Sequence, residues 1–192
     1  IYKKNYNNIH YVGLPIRNLK YDNNLLLKTK KKELNICILG GSQGSKSLSQ
    51  LVAKAMIGLK PLINKKIRLS HQCRKEDLKR VKNIYSSFYL NVEVNPFFND
   101  MTSRMKNADL IISRSGSSTV NEIIFYEKPS ILIPYPHAAE DHQMFNALSL
   151  SGNSCAKIIK DIDLNPRILI NEILKIMMSP LKKHYIKSKL SR

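Results

Sequence analysis

The sequence predicts an α/β fold with a doubly wound parallel sheet, and two patterns carry that prediction. Short apolar runs of strand length recur six times, and segments whose apolar residues follow helical spacing lie between them. Because the runs are almost continuously apolar, helices should cover both faces of the sheet. The length of 192 residues suits one domain with a sizeable core.

The predicted elements alternate along the chain. The strands are predicted at residues 35–39, 67–71, 91–95, 109–113, 130–134 and 156–159. One helix is predicted to begin near Ser45, because apolar residues recur at helical spacing as far as Met56. A second helix is predicted around Ile123 and Ile124, after a polar turn.

The chain divides into three predicted segments. Residues 1–34 are expected to be a linker and the edge of a missing N-terminal domain, and residues 35–180 the α/β domain. Residues 181–192 are expected to form a basic C-terminal tail or helix.

The net charge of +18 allows three classes of partner, namely nucleic acid, an anionic membrane surface and a phosphorylated substrate. Lysines cluster only at residues 28–33 and 181–192, and no aromatic residues recur among them as stacking platforms. This distribution argues against nucleic acid. An AT-rich genome is the alternative explanation of the many lysines.

The remaining composition excludes other classes. No stretch approaches 18 uninterrupted apolar residues, so the sequence predicts a soluble chain without a membrane span. Cys37, Cys73 and Cys155 lie far apart and form no CxxC pair, which fits a reducing cytosol and indicates neither a disulfide framework nor a zinc site.

In open parallel sheets the ligand binds at the carboxyl ends of the strands, so the loops that follow the strands are the candidate site. The first is GGSQGS at residues 40–45, whose glycines permit close approach of a ligand to the backbone. The helix that follows would direct free N–H groups towards an anion such as a diphosphate. A Walker P-loop and a GxGxxG fingerprint are both absent. A plain turn capped by serine is the alternative.

The loop SRSGSSTVNE at residues 113–122 has the same character. Gly116 is expected to free the backbone, and three hydroxyl side chains follow it where the second helix should begin. Thr119 and Glu122 have the spacing of a capping box, in which the carboxylate serves its own helix. Alternatively, Glu122 accepts both hydroxyls of a ribose. The spacing alone leaves these two interpretations level.

Two further loops carry polar or aromatic side chains. In PHAAEDHQMFNA, recognition of a sugar by Asp141, Gln143 and Asn146 is favoured over metal binding, because neither HExxH nor a histidine pair at helical spacing is present. Helix capping by Asp141 is the alternative. In NPFFNDM, Phe97 and Phe98 are expected either to be core residues or to flank a base whose edge the local backbone hydrogen-bonds.

Together these motifs resemble the C-terminal, donor-binding half of the MurG family of bacterial cell-wall glycosyltransferases. The matching pieces, in family order, are VGLPIR, ILGGSQGS, HQCRK, FFNDM, ADLIISRSGSSTVNEI, KPSILIPYPHAAEDHQMFNA and AKII, from about residue 11 to residue 160. The resemblance implies a Rossmann-like domain of a GT-B glycosyltransferase, with residues 35–180 binding a UDP-sugar donor. It also implies a hexosyltransferase that moves N-acetylglucosamine from UDP-N-acetylglucosamine to lipid I, with inversion, to make lipid II for peptidoglycan.

The resemblance further implies roles for individual residues. The uracil would be read by the backbone at Phe98 with Met101 nearby, and the ribose would bind Glu122. Arg17 would lie near the nucleotide. The diphosphate would contact Gly41, Ser42, Gln43, Gly44, Ser117, Ser118 and Thr119. The sugar hydroxyls would contact His142 and Gln143, beside Asn146.

The family likeness implies no metal and no other cofactor. The implied partners are UDP-N-acetylglucosamine and, through the missing N-terminal domain, lipid I. An anionic membrane surface is a further candidate partner, and nucleic acid is not expected. The implied location is peripheral, at the cytoplasmic face of the bacterial inner membrane.

Two departures from the family pattern stand out. Leu14 replaces the usual asparagine of the VGLPIR segment, and nothing here corresponds to the family's N-terminal domain. Because that domain carries the proposed general base, no catalytic residue is assigned in this chain. The first hypothesis is therefore a donor-binding module that is inactive alone. The alternative is a non-catalytic nucleotide-sugar-binding remnant of a truncated or decayed gene.

Overall fold

A computed structural model describes residues 33–40, 46–86, 91–138, 141–151 and 156–178. The six predicted strands are confirmed, and they form a single parallel sheet. They are β1 (Glu33–Leu39), β2 (Lys66–Gln72), β3 (Asn91–Asn95), β4 (Leu110–Ser113), β5 (Ser130–Leu132) and β6 (Ala156–Ile158). The helices are α1 (Lys46–Leu59), α2 (Leu78–Ser86), α3 (Met101–Asn107), α4 (Ser117–Phe125), α5 (His142–Ser151) and α6 (Pro166–Met178).

The order of the strands in the sheet is β3-β2-β1-β4-β5-β6. The chain builds outward from β1 to β3 and then crosses back to place β4 on the other side of β1, so that Ile36 pairs with Leu69 on one side and Leu110 on the other. This reversal is a topological switch point, which opens a crevice at the carboxyl ends of β1 and β4. The predicted doubly wound α/β class is confirmed.

Helices cover both faces of the sheet, and the alternation of side chains along β1 divides the core accordingly. Ile36 and Ile38 pack in the layer under α1, α2 and α6. Cys37 and Leu39 point the other way, into the layer under α3, α4 and α5. Both layers are built from side chains with almost no exposed surface, as two-sided burial of a parallel sheet requires.

Two helices begin where the polar turns of the sequence predicted that they would. The first predicted helix begins at Lys46, next to the expected Ser45, and the second begins at Ser117. Three further helices, α2, α3 and α6, were not individually predicted, because none of them follows a turn rich in glycine and hydroxyl side chains.

The predicted linker and basic tail fall almost wholly at residues 1–32 and 179–192, outside the described residues. In the part of the chain that the structure describes, no helix is both long and apolar enough to cross a bilayer.

Candidate functional site

An open cleft of about 460 Å³ lies at the carboxyl ends of the strands, at the switch point between β1 and β4. Its walls come from the segments at the ends of β1, β2, β4 and β5 and from the first two turns of α3 and α4 and the first turn of α5. The lining residues are Leu39, Gln72, Met101, Met105, Arg114, Gly116, Ser117, Ser118, Thr119, Glu122, Tyr135, His142 and Gln143. This is the edge where a parallel sheet of this topology places a ligand.

Seven of the predicted site residues line this cleft together. They are Met101, Ser117, Ser118, Thr119, Glu122, His142 and Gln143. Phe98 and Asn146 are predicted site residues that lie outside the lining. The other predicted site residues, Arg17, Gly41, Ser42, Gln43 and Gly44, fall outside the described residues.

Helix α4 begins at the cleft without a side-chain cap. Its N-cap is Gly116, and no side chain hydrogen-bonds the first turn there. Thr119 lies three residues beyond the cap, so of the two interpretations of Thr119 and Glu122 the capping box is wrong. The first turn, whose N–H groups have no side-chain cap, lines the cleft at the positive end of the helix dipole, and this arrangement suits an anion.

Gly116 has an ordinary backbone. Its φ of −63° and ψ of 144° are open to any residue, so the expectation that it frees the backbone is wrong. A Cβ atom added there would meet no atom within 4 Å. Because Gly116 lines the cleft, the effect of its missing side chain is to leave space there.

Helix α5 also begins at the cleft. Gln143, in its first turn, accepts a hydrogen bond from the Tyr135 N–H with its Oε1 atom at 2.9 Å. His142 lines the cleft beside it. Asp141 precedes the helix in the left-handed conformation, with φ of 50°, and its side chain is exposed. Two helix N-termini thus converge on the same cleft.

Asn146 fastens α5 to the loop before α4 and does not reach the cleft. Its Nδ2 donates to the carbonyl of Ser115 at 3.0 Å, while the Ser115 hydroxyl donates to the carbonyl of Gln143 at 2.7 Å. These two contacts hold the two helix starts in a fixed relation. The structure therefore gives Asn146 a positioning contact instead of an open face towards a sugar.

Arg114 is buried at the base of the cleft. Its Nη1 donates to the carbonyls of Ile133 and Pro134, both at 3.1 Å, and pairs with Asp161 at 2.6 Å. It joins the end of β4 to the segment after β5 and to the turn after β6. Because Asp161 pairs with the same guanidinium and offsets its charge, the contribution of Arg114 to the cleft is to hold these elements together.

The two phenylalanines of the loop after β3 differ in burial. Phe98 is buried with 5% exposure, whereas Phe97 is 63% exposed. The core interpretation is therefore confirmed for Phe98 and wrong for Phe97.

Met101, which begins α3, lines the cleft and receives a sulfur contact from Cys37 at 3.8 Å. Burial raises the pKa of the Cys37 thiol to about 12, so that thiol stays protonated.

Several lining residues were missed at the sequence level. Gln72 and Arg114 each directly follow an apolar strand run, and that position was the available signal. Tyr135 lies in a proline-rich segment whose path could not be foreseen. Leu39 and Met105 were hidden by their apolar character, since apolar residues near strand ends are assigned to the core by default.

Among the described residues, no group of three or more His, Cys, Asp or Glu side chains is arranged to hold a metal ion. The polar groups of the cleft are hydroxyls, amides, an imidazole, a guanidinium and one carboxylate. This donor set suits an anionic ligand that also carries hydroxyl groups.

Curated relatives share the sequence over most of this chain. A protein of Rickettsia bellii (strain RML369-C) is 37% identical over 154 residues, which are 79% of this chain and 43% of the relative. A protein of Agrobacterium fabrum (strain C58 / ATCC 33970) is 40% identical over 145 residues, which are 76% of this chain and 38% of the relative. Both are named UDP-N-acetylglucosamine--N-acetylmuramyl-(pentapeptide) pyrophosphoryl-undecaprenol N-acetylglucosamine transferase. The chain thus spans about two fifths of the length of these relatives.

Among solved structures, the crystal structure of Acinetobacter baumannii MurG superposes with a TM-score of 0.71 at 29% identity, covering 85% of this chain and 46% of that one. The sequence profile of the glycosyltransferase family 28 C-terminal domain matches residues 35–191. Because that match spans most of the sequence, and the sheet order and the switch-point cleft agree with it, this chain belongs to the glycosyltransferase family 28 C-terminal domain family.

Proposed function

We propose that the cleft binds UDP-N-acetylglucosamine and that the chain is the donor-binding part of an inverting N-acetylglucosamine transferase. The observation that carries the proposal is the convergence of α4 and α5, whose first turns both line the cleft. The relatives named as transferases of this sugar support the choice of donor. The acceptor in that activity is lipid I and the product is lipid II.

The diphosphate would lie at the start of α4. The free N–H groups of its first turn, together with the hydroxyls of Ser117, Ser118 and Thr119, supply donors for phosphate oxygens. Each helix terminus stabilises an anion by roughly 0.3 to 2 kcal/mol. Arg114 lines the cleft beside them, but its ion pair with Asp161 offsets its charge.

The rest of the donor would extend to either side. Glu122 lies one and a half turns into α4 on the cleft wall, where its two oxygens would accept both ribose hydroxyls. His142 and Gln143 would contact the sugar at the start of α5. The uracil would lie against the loop before α3, read by the backbone at Phe98 beside Met101.

In the transfer step, an acceptor hydroxyl attacks the anomeric carbon, and the bond from that carbon to the diphosphate oxygen breaks. Negative charge develops on the departing UDP, so the helix termini stabilise the transition state more than the ground state. No described residue of the cleft is assigned as the general base. We propose that the base and the lipid-binding surface belong to a separate N-terminal domain, and that the complete enzyme lies at the cytoplasmic face of the membrane.

The first experiment is calorimetric titration of the folded chain with UDP-N-acetylglucosamine and with UDP-glucose. We expect selective binding of the first donor and weaker binding by Glu122→Gln, because glutamine offers one carboxamide oxygen where glutamate offers two. Glu127→Gln is the matched control, because Glu127 lies beyond the C-terminal end of α4 and the substitution makes the same change of charge.

The outcome separates the parts of the proposal. A folded chain that binds neither donor contradicts it. Transfer of N-acetylglucosamine to lipid I by the chain alone contradicts the assignment of the base to another domain. Binding without transfer, followed by transfer when an N-terminal domain from a related enzyme is added, supports both parts.

A further inference from the structure

Arg104, on α3, joins three separate elements through one side chain. Its Nη1 donates to the Ser70 hydroxyl on β2, and its Nη2 donates to a Glu93 carboxylate oxygen on β3, both at 2.8 Å. Its Nε donates to Asp100 at 2.8 Å. The guanidinium also lies over the Phe98 ring, 4.2 Å from the centroid. One arginine therefore ties the loop before α3 to two strands of the sheet.

The Arg104 side chain is largely buried and makes ion pairs with two carboxylates. Arg104 is only 19% exposed, and it contacts both of its carboxylate partners at 2.8 Å. The hydrogen bond from Arg104 lowers the pKa of Asp100, and the bond to Glu93 raises the pKa of Arg104. Asp100 is the N-cap residue of α3, yet its side chain makes no capping bond to the helix. Its carboxylate binds Arg104 instead of the helix start.

The same loop is fastened on its other side by a residue of the cleft. Gln72 donates from Nε2 to the carbonyl of Pro96 at 3.1 Å, and Gln72 lines the cleft. Met101, the first residue after the loop, lines the cleft as well. Residues 96–100 do not line the cleft themselves, but they lie next to Gln72 and Met101, which do, and they are held by Gln72 at one end and by Arg104 at the other.

We propose that Arg104 is a positioning residue for recognition of the nucleoside base. Arg104 does not line the cleft. Its contacts hold residues 96–100 in the conformation in which the Phe98 backbone would meet the base. This inference rests on the proposed function, in which the base lies against that loop. Arginine carries its donors on three separate nitrogens and has a flat face to stack on Phe98, whereas lysine has all its donors on one nitrogen and no flat face, so lysine replaces it only in part.

The test compares the affinities of UDP and ADP, which share a ribose and a diphosphate and differ in the base. Both are titrated calorimetrically into the 192-residue chain and into Arg104→Gln, Arg104→Lys and Arg68→Gln. Arg68 lies on β2 with 54% of its side chain exposed and pairs with Glu33 at 3.5 Å, so its variant matches the change of charge without touching the loop. Thermal unfolding of each variant establishes that it is folded.

We expect the unchanged chain and Arg68→Gln to prefer UDP over ADP to the same extent. In Arg104→Gln the preference should fall by roughly tenfold, through weaker binding of UDP, because a displaced loop misplaces the hydrogen bonds to the base. Arg104→Lys should fall between the two, since it keeps the charge but loses the fork. If Arg104→Gln does not fold, Arg104→Lys provides the comparison.

Two results would overturn the inference. One is an Arg104 variant with the same preference as Arg68→Gln, and the other is equal weakening of UDP and ADP, which indicates a general effect of charge or stability. An unchanged chain that binds both nucleotides equally contradicts a different statement, namely that the cleft reads the base, and so overturns that part of the proposed function.

Discussion

The Oε1 atom of Gln143 accepts a hydrogen bond from the backbone N–H of Tyr135 at 2.9 Å, and this contact fixes which way the amide points. A backbone N–H can pair only with the amide oxygen, so the NH₂ group is the part of the amide that Gln143 can offer to a ligand. Gln143 is therefore a donor in the cleft. Phosphate oxygens and sugar hydroxyls are both suitable acceptors for it.

We predict that Gln143→Glu weakens binding of UDP-N-acetylglucosamine by roughly tenfold or more without lowering stability. The carboxylate keeps an acceptor for the Tyr135 N–H but replaces the donor with a second, negatively charged acceptor facing an anionic ligand. Titration calorimetry gives the affinity and thermal unfolding gives the stability. Asn83→Asp, an exposed amide-to-acid change on α2, is the control. Unchanged affinity in Gln143→Glu would place the donor elsewhere.

We predict the opposite pattern for Asn146→Asp. Its Nδ2 now donates to the buried Ser115 carbonyl at 3.0 Å, and a carboxylate would set an acceptor against that acceptor. The free energy of unfolding should fall by roughly 1 to 3 kcal/mol, measured by urea denaturation against Asn83→Asp. If Asn146→Asp kept its full stability but lost donor binding, Asn146 would instead contact the sugar, as the sequence analysis predicted.

The sheet and much of the cleft were predictable because they depend on short-range patterns. Near-continuous apolar runs define buried parallel strands, and the parallel arrangement alone brings their following loops to one edge. That argument was sufficient to bring Ser117 and Gln143 to the same cleft, although they lie 26 positions apart in the sequence.

Contacts between individual side chains were not predictable in this way. Arg104 reaches Ser70 across 34 positions and Asn146 reaches Ser115 across 31, and no periodicity encodes such pairs. The capping box failed for a different reason. Thr119 and Glu122 have the spacing that a capping box requires, but the helix begins two residues before Thr119. A spacing rule does not identify the residue at which the helix begins.

We predict that Gly40→Ala destabilises the fold. A Cβ atom on Gly40 would lie 2.8 Å from the carbonyl oxygen of Gln72, to which the Gly40 N–H already donates at 3.0 Å. The obstacle is backbone in a sheet, so the strands must separate, at a cost of roughly 1 to 3 kcal/mol in the free energy of unfolding.

Gly58→Ala is the control for this prediction. Its Cβ would also lie 2.8 Å from a neighbour, but that neighbour is Cδ1 at the flexible end of the Ile170 side chain. Rotation of Ile170 relieves the contact, and alanine favours the helix interior by roughly 0.5 to 1 kcal/mol. Chemical denaturation should therefore rank Gly58→Ala well above Gly40→Ala. Equal stabilities would mean that the β1 and β2 backbones adjust freely.

Gly116→Ala should leave stability unchanged and weaken donor binding. The backbone there suits alanine and nothing lies within 4 Å of the new methyl group, so the thermal midpoint should not move. The methyl group would occupy space in the cleft at the N-cap of α4, where we place the diphosphate. Titration with UDP tests this, and an affinity equal to that of the unchanged chain would show that the ligand keeps away from Gly116.

His71 gives the fold a predictable sensitivity to acid. It is completely buried on β2, with its Nδ1 2.9 Å from the hydroxyl of Tyr85, and burial lowers its pKa to about 3. An unfolded histidine has a pKa of about 6.5, so between those values the unfolded chain binds a proton that the folded chain refuses. The stability contributed by the neutral ring is therefore complete above pH 6.5 and is lost as the pH falls towards 3.

We predict that this one group removes roughly 2 kcal/mol from the free energy of unfolding between pH 6.5 and pH 5. The comparison is with the double variant His71→Leu/Tyr85→Phe, which replaces both hydrogen-bonding partners by apolar groups and so should be close to neutral at pH 7. Urea denaturation of both proteins across this range cancels the carboxylates and the exposed histidines that they share. The two stability curves should diverge below pH 6.5, with the unchanged chain falling faster. Parallel curves would mean that the folded protein accommodates a protonated His71, against the burial that the structure gives it.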